Sequence, residues 1–208
     1  MRSYRILLLS LTIVISSVFF GCDLFVKEIN ILSDAFDAQG DWNLTAEVDE
    51  AEWAPGEGTA SATIEDSRLL LQASQQQAYS ARAGAYRTLQ DTIIEDGALS
   101  NITIKVLIEP AADISGMAEG YIILHYNNIS LTARFDHEYS GMLLFIYENG
   151  TTSFSIDGVD IDDSRYEFQA DSSGIAKEIE LYVRANGVDL WHSAYLSIDS
   201  IEISFFDR

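Results

Sequence analysis

"NITIKVLIE", Asn101–Glu109, sets Ile102, Ile104, Val106 and Ile108 on one side of the chain and Thr103, Lys105 and Glu109 on the other. Alternation with a period of two is the mark of an extended strand that buries one face and wets the other. The pattern recurs in "DWNLTAEV" (Asp41–Val48), "ISLTARFD" (Ile129–Asp136) and "EIELYVR" (Glu178–Arg184). "GYIILHY" (Gly120–Tyr126) and "GMLLFIY" (Gly141–Tyr147) are apolar on both sides and belong at the centre of a sheet. Asn149-Gly150, between two such runs, is a type I′ hairpin signal. No stretch after the N-terminal apolar run carries a long helical stripe. About ten to twelve short strands with polar turns predict an all-β fold, a two-sheet antiparallel β-sandwich of jelly-roll type.

The last strand carries an irregularity. In "AYLSIDSIEISFF" (Ala194–Phe206) the apolar positions are Leu196 and Ile198, then Ile201, Ile203 and Phe205. The phase slips by one residue. A strand that keeps one face buried absorbs such a slip with a β-bulge, predicted at Asp199-Ser200, which would re-aim the Asp199 side chain.

The N-terminus has a different character. Arg2 and Arg5 precede an uncharged apolar run, Ile6–Phe20, and Gly21 follows it. A basic start, an apolar centre and a small residue at the exit form a secretory signal. At about 1.5 Å per residue the run makes roughly 22 Å of helix, short of a hydrocarbon core of ~30 Å. The only cysteine, Cys22, stands immediately after it. Val18-Phe19-Phe20-Gly21-Cys22 resembles the bacterial lipoprotein signal, departing from it at Phe19 and Phe20. The resemblance implies cleavage before Cys22 and acylation of its sulfur and new amino group. Residues 1–21 are then the signal peptide, 22–35 a lipid-anchored tether and 36–208 the sandwich domain. A lipidated Cys22 leaves no thiol for a disulfide, a nucleophile or a thiolate metal site.

Composition narrows the partners. Acidic residues number 33 against 12 basic ones, a formal charge of −21 that becomes −23 once Arg2 and Arg5 are removed. Nucleic acid is excluded as a partner, because phosphate binding needs clustered Lys and Arg. An anionic membrane surface repels such a domain, so the membrane partnership rests on the acyl chains.

"FDAQGDW" (Phe36–Trp42), "SRLLLQA" (Ser67–Ala73) and "YLSIDSIEI" (Tyr195–Ile203) resemble the galactose-binding-like and concanavalin A-like carbohydrate-binding sandwiches. The resemblance covers about a fifth of the domain and implies the fold more than a ligand. Three groups of residues are candidates for chemistry. Glu47, Asp49 and Glu52 in "EVDEAE" resemble the signature of retaining β-glucanases, which implies nucleophile, helper and general acid in that order. Chance matches to this spacing are frequent in so acidic a chain, and the sequence favours a protein that is not an enzyme. Asp157, Asp160, Asp162 and Asp163 in "DGVDIDDSRYE" supply the hard oxygens that a structural calcium takes, or form a solvated acidic turn. Trp53, in the polar "EAEWAPGEG", is a candidate to stack on a sugar face, whereas Trp42, Trp191 and His125 read as core residues. No zinc, P-loop or dinucleotide motif is present.

The sequence therefore predicts a lipid-anchored module of the bacterial cell envelope, facing the periplasm or the cell surface. It would bind a glycan or another envelope partner without catalysis. A structural or assembly lipoprotein working through protein contacts is the alternative, and a glycoside hydrolase the third.

Overall fold

A computed structural model describes residues 27–49, 57–76, 80–89, 101–115, 118–126, 129–135, 139–148, 151–160, 166–170, 177–186 and 191–207. Strands in chain order are β1 (Lys27–Asp34), β2 (Asn43–Asp49), β3 (Glu57–Glu65), β4 (Arg68–Gln76), β5 (Ser80–Thr88), β6 (Asn101–Ser115) and β7 (Ala118–Tyr126). They continue as β8 (Ile129–Phe135), β9 (Tyr139–Glu148), β10 (Thr151–Ile156), β11 (Val159–Asp160), β12 (Tyr166–Ala170), β13 (Lys177–Asn186) and β14 (Trp191–Asp207). They form an eight-stranded sheet, β11-β10-β9-β6-β14-β4-β3 with β1 also on β14, and a six-stranded sheet, β12-β8-β7-β13-β5-β2. Every pairing is antiparallel. The chain is an all-β sandwich, as its periodicity predicts. Both doubly apolar runs lie inside their sheets, as β7 and β9.

One core fills the space between the sheets. Leu69, Leu71, Ile104, Val106, Phe145, Leu196 and Ile203 of the larger sheet face Ala83, Ile122, Leu124, Ile179, Leu181 and Val183 of the smaller, all buried. β4 packs across β5 and β13, and β14 across β13 and β7. The inner side of β5 is Ala81, Ala83 and Ala85, small residues opposite the leucines of β4, so large and small side chains interdigitate as close packing requires.

The expected bulge is present. In the ladder with β6, Ile198 pairs with Ile108 and Ser200 with Leu107, which leaves Asp199 without a partner. Its carboxylate instead accepts a hydrogen bond from Arg68 Nε at 3.1 Å. The bulge also divides the 17-residue strand β14 between two neighbours on one edge. Residues Trp191–Ile198 pair with β4, and Ile201–Asp207 with β1.

That second neighbour corrects the tether. Lys27–Asp34 fell within the expected tether, yet these eight residues are strand β1. The register shifts between Asn30 and Leu32, which breaks the period of two and hides the strand from a pattern search. Two further expectations change. Trp191 was expected in the core but is 59% exposed, since it starts β14 on the outer side of the larger sheet. His125 is only partly buried, whereas His192 is buried, at 6% exposure.

Two tight turns join strands. Asp66 (φ 50°) and Ser67 (φ 56°) link β3 to β4, and Asp157 (φ 49°) and Gly158 (φ 78°) link β10 to β11. Positive φ at both central residues is the type I′ requirement, which matches the twist of the flanking strands. β9 and β10 pair from Glu148↔Thr151 onward, as the Asn149-Gly150 signal predicts. Those two loop residues lie outside the described set.

Candidate functional site

The six-stranded sheet buries its inner side and exposes its outer one. Register fixes which side chains share the outer face, because residues two apart on a strand point the same way. Across β7, β13, β5 and β2 one row reads Glu119, Arg184, Arg82, Glu47. The next, from β8 to β2, reads Arg134, Tyr121, Tyr182, Gly84, Thr45. A third reads Thr132, Ile123, Glu180, Tyr86, Asn43.

The centre is a pair of tyrosines. The Tyr121 and Tyr182 rings stack at 4.5 Å between centroids with 13° between planes. The Arg82 guanidinium lies 4.1 Å from the Tyr182 centroid, and that of Arg184 lies 5.5 Å from the Tyr121 centroid. Gly84 makes this possible. A Cβ there would meet Tyr182 Cβ at 3.0 Å and both Leu181 O and Thr45 Oγ1 at 3.3 Å, so only glycine leaves Tyr182 its place.

A carboxylate ties the rings to the arginines. Glu119 accepts from the Tyr121 hydroxyl at 2.5 Å, from Arg184 Nη2 at 2.8 Å and from Arg134 Nη1 at 3.4 Å. Arg184 Nη2 also donates to Tyr121 Oη at 3.2 Å. Arg82 donates to Glu180. Arg184 Nε, by contrast, is buried without a partner. A buried donor left unpaired costs about 1–3 kcal/mol, and each such group in a folded protein calls for an explanation.

Electrostatics follow the contacts. Burial alone would raise the Glu119 pKa, but hydrogen bonds from Tyr121 and Arg184 and the charges of Arg184 and Arg134 outweigh it and hold it below 4.5. Burial, then the hydrogen bond to Glu119, pushes Tyr121 up to about 12, although the Arg184 charge acts the other way. A carboxylate with a depressed pKa lends stability that is present above its unfolded pKa and lost as pH falls through the folded value. The tyrosine, with a raised pKa, lends stability that is present below 10 and lost as pH climbs toward 12. The face is therefore expected to hold its geometry from about pH 5 to about pH 10 and to loosen beyond both ends. Near-ultraviolet circular dichroism of the tyrosines would follow this, and Glu119→Gln should abolish the acidic limb. An acidic limb unchanged in Glu119→Gln would show that the tyrosines are held by something else.

This face presents fixed donors, acceptors and tyrosine edges. Of the residues singled out from sequence, Glu47 lies at its margin and Asp49 beyond it on the same exposed edge strand. Glu52, Trp53 and Cys22 lie outside the described residues, as do Asp162 and Asp163. Asp157 and Asp160 are both in the β10–β11 hairpin, on the other sheet. Asp157 Oδ1 is already used, accepting from Met142 N at 2.8 Å. Among the described residues no group of three or more His, Cys, Asp and Glu side chains is placed to hold a metal.

The face itself escaped notice in the sequence. Arg82, Gly84 and Tyr86 alternate with alanines, so "SARAGAYRT" shows no apolar stripe. In "GYIILHY" the outer Tyr121, Ile123 and His125 look as apolar as the inner residues. Tyr182 does share its period with Glu180 and Arg184, and that was the available signal.

No protein-family model and no curated protein matches the chain. Solved structures do, at low identity. The CBM2 module of the Lactobacillus casei BL23 phage J-1 evolved Dit superposes with a TM-score of 0.48 at 8% identity, covering 88% of this chain and 98% of the module. The carbohydrate recognition domain of Emp47p gives 0.42 at 9%, over 82% and 93% of the two chains. A β-1,3-glucanase from Mycobacterium marinum gives 0.44 at 10%, over 84% and 98%. These are likenesses of fold alone, at low identity.

Proposed function

We propose that this chain is a lipid-anchored, non-catalytic module of the bacterial cell envelope that holds a glycan on the outer face of its six-stranded sheet. The Tyr121–Tyr182 pair, clamped by Arg82, Arg184 and Glu119, carries the proposal. A sugar offers vicinal hydroxyls and short C–H surfaces. Forked guanidinium groups and carboxylates suit the first, and the edges of the tyrosine rings border the second. Side chains already locked together lose little entropy when a ligand arrives. Glu119, ionised and held by three donors, is a fixed acceptor and a poor general acid.

Polysaccharide binding by the full chain in detergent is the test. Retention is expected, with no shortening of the polymer on long incubation. Arg184→Gln removes a charge-assisted hydrogen bond and should weaken binding about tenfold, a loss of about 1.4 kcal/mol. Full affinity in Arg184→Gln would place the ligand elsewhere. Shortened polymer would instead favour hydrolysis, with Glu47 the first residue to replace.

The anchor has its own test. The intact mass of the mature chain should begin at Cys22 with added acyl groups. Cys22→Ser should move the protein from the detergent phase to the aqueous phase, because two or three chains at about 0.8 kcal/mol per methylene are lost. An unmodified thiol at position 22 would remove the anchor from the proposal. Exposed Trp191, on the opposite sheet, favours a second reading in which a protein partner docks there.

A further inference from the structure

We infer that the ligand of the six-stranded sheet is a neutral polysaccharide, bearing neither carboxylate, sulfate nor amine. This rests on the glycan-binding reading and narrows it. The outer face holds three of the chain's nine arginines: Arg82, Arg134 and Arg184. Three arginines together in so acidic a protein would ordinarily point to an anion. Their partners point the other way. Arg82 is paired with Glu180, and both Arg184 and Arg134 with Glu119. Glu47, Asp49 and Glu178 stand on the same face. Against three positive charges the outer face of β8, β7, β13, β5 and β2 therefore sets five negative ones. A polyanion would have to displace carboxylates already bonded to the guanidinium groups, and would approach a chain of formal charge −21.

A polycation is disfavoured from the other side. The two central carboxylates, Glu119 and Glu180, are occupied, and an amine would meet the guanidinium groups beside them. An uncharged hydroxyl asks for none of these rearrangements. It donates to the free lone pairs of a carboxylate and accepts from guanidinium protons that the ion pairs leave over. The rings enforce the same choice. Tyr182 is 9% exposed, with Tyr121 on one side and Arg82 on the other. The tyrosines thus offer edges and hydroxyls rather than open faces, so the sugar is held by its hydroxyl groups.

The test sets the full chain in detergent against three polymer series: neutral (dextran, mannan, galactan, β-glucan), carboxylated or sulfated (polygalacturonate, dextran sulfate) and aminated (chitosan). Retention is expected on a neutral polymer, with affinity changing less than about twofold between roughly 50 mM and 500 mM salt, since no net charge is exchanged. Glu119→Gln frees two guanidinium groups, and this variant should gain retention on polygalacturonate while its neutral binding falls about fivefold. Retention of the unaltered chain only on a charged polymer, with a loss of tenfold or more over the same salt range, would overturn the inference and leave glycan binding standing. Retention on none of the three series would overturn both.

Discussion

Asp34→Ala is expected to remove about 3 kcal/mol of stability. Asp34 ends β1, and its two oxygens serve three donors. Oδ1 accepts from Phe36 N at 2.7 Å, Oδ2 from Trp42 Nε1 at 3.0 Å, and Arg87 of β5 completes an ion pair. The donors belong to a sealed corner. Phe36 is fully buried at φ 52°, Trp42 is 2% exposed, and their rings lie 5.3 Å apart. The Arg87 guanidinium sits 5.9 Å from the indole. Alanine would leave an amide, an indole N–H and a guanidinium short of their acceptor where water reaches poorly. The Asp34 side chain is 17% exposed and that of Arg87 is 22%, so the pair falls between a surface bridge and a fully buried one. Urea unfolding of the full chain in detergent measures the loss, and thermal unfolding should show a fall in melting temperature of about 6–12 °C. Asp34→Asn keeps an acceptor and should lose about half as much. A loss below about 1 kcal/mol in Asp34→Ala would mean that Phe36 and Trp42 hold the corner by packing alone.

Gly141→Val should cost about the same, for a different reason. Gly141 has φ +114°, a region costly for any side chain and most of all for a branched one. A Cβ there would fall 2.2 Å from Asp157 Oδ2 and 2.6 Å from Cγ. Asp157 does not give way easily. Its amide donates to Met142 O at 2.9 Å while its carboxylate accepts from Met142 N. Strain and lost hydrogen bonding together come to about 3 kcal/mol. A double-mutant cycle separates them. Gly141→Ala carries both the backbone cost and the collision. Asp157→Gly removes the collision together with the bond from Met142 N, a loss that the Asp157→Gly single variant also carries, so the pair should be about 1 kcal/mol less harmful than the sum of the singles. Strict additivity would assign the whole cost to the backbone.

Much of this architecture was legible because it depends on period. β6, β8 and β13 bury one face each, and a slip of one residue in β14 located the Asp199 bulge. What stayed hidden lacked that regularity. β1 carries its own irregularity between Asn30 and Leu32. β5 buries alanines, which a hydrophobicity pattern does not register. From sequence Asp157 belongs to a candidate calcium site or a solvated acidic turn; Asp157-Gly158 between two strands is also a hairpin signal, and a tight turn forms there. The candidate site was the least legible part. It is assembled from five strands by register, and nothing in the sequence states which residues of distant strands stand side by side. Tyr121 and Tyr182 are sixty-one positions apart in sequence and 4.5 Å apart in space.

The pairing of β1 with β14 sets how the protein would carry a mechanical load. If Cys22 carries the proposed lipid, the four residues Asp23–Val26 separate it in sequence from the first strand. A pull between the membrane and a polymer held on the other sheet enters β1 at Lys27 and runs along its length. Antiparallel hydrogen bonds lie across the strand direction, so the ladder from Lys27↔Asp207 to Asp34↔Ile201 is sheared as a whole instead of being opened bond by bond. At the far end of the strand, Asp34 grips Arg87 on β5, the strand that also presents Arg82. Tension on the proposed anchor and on the proposed ligand would therefore meet on one strand, at two arginines five residues apart.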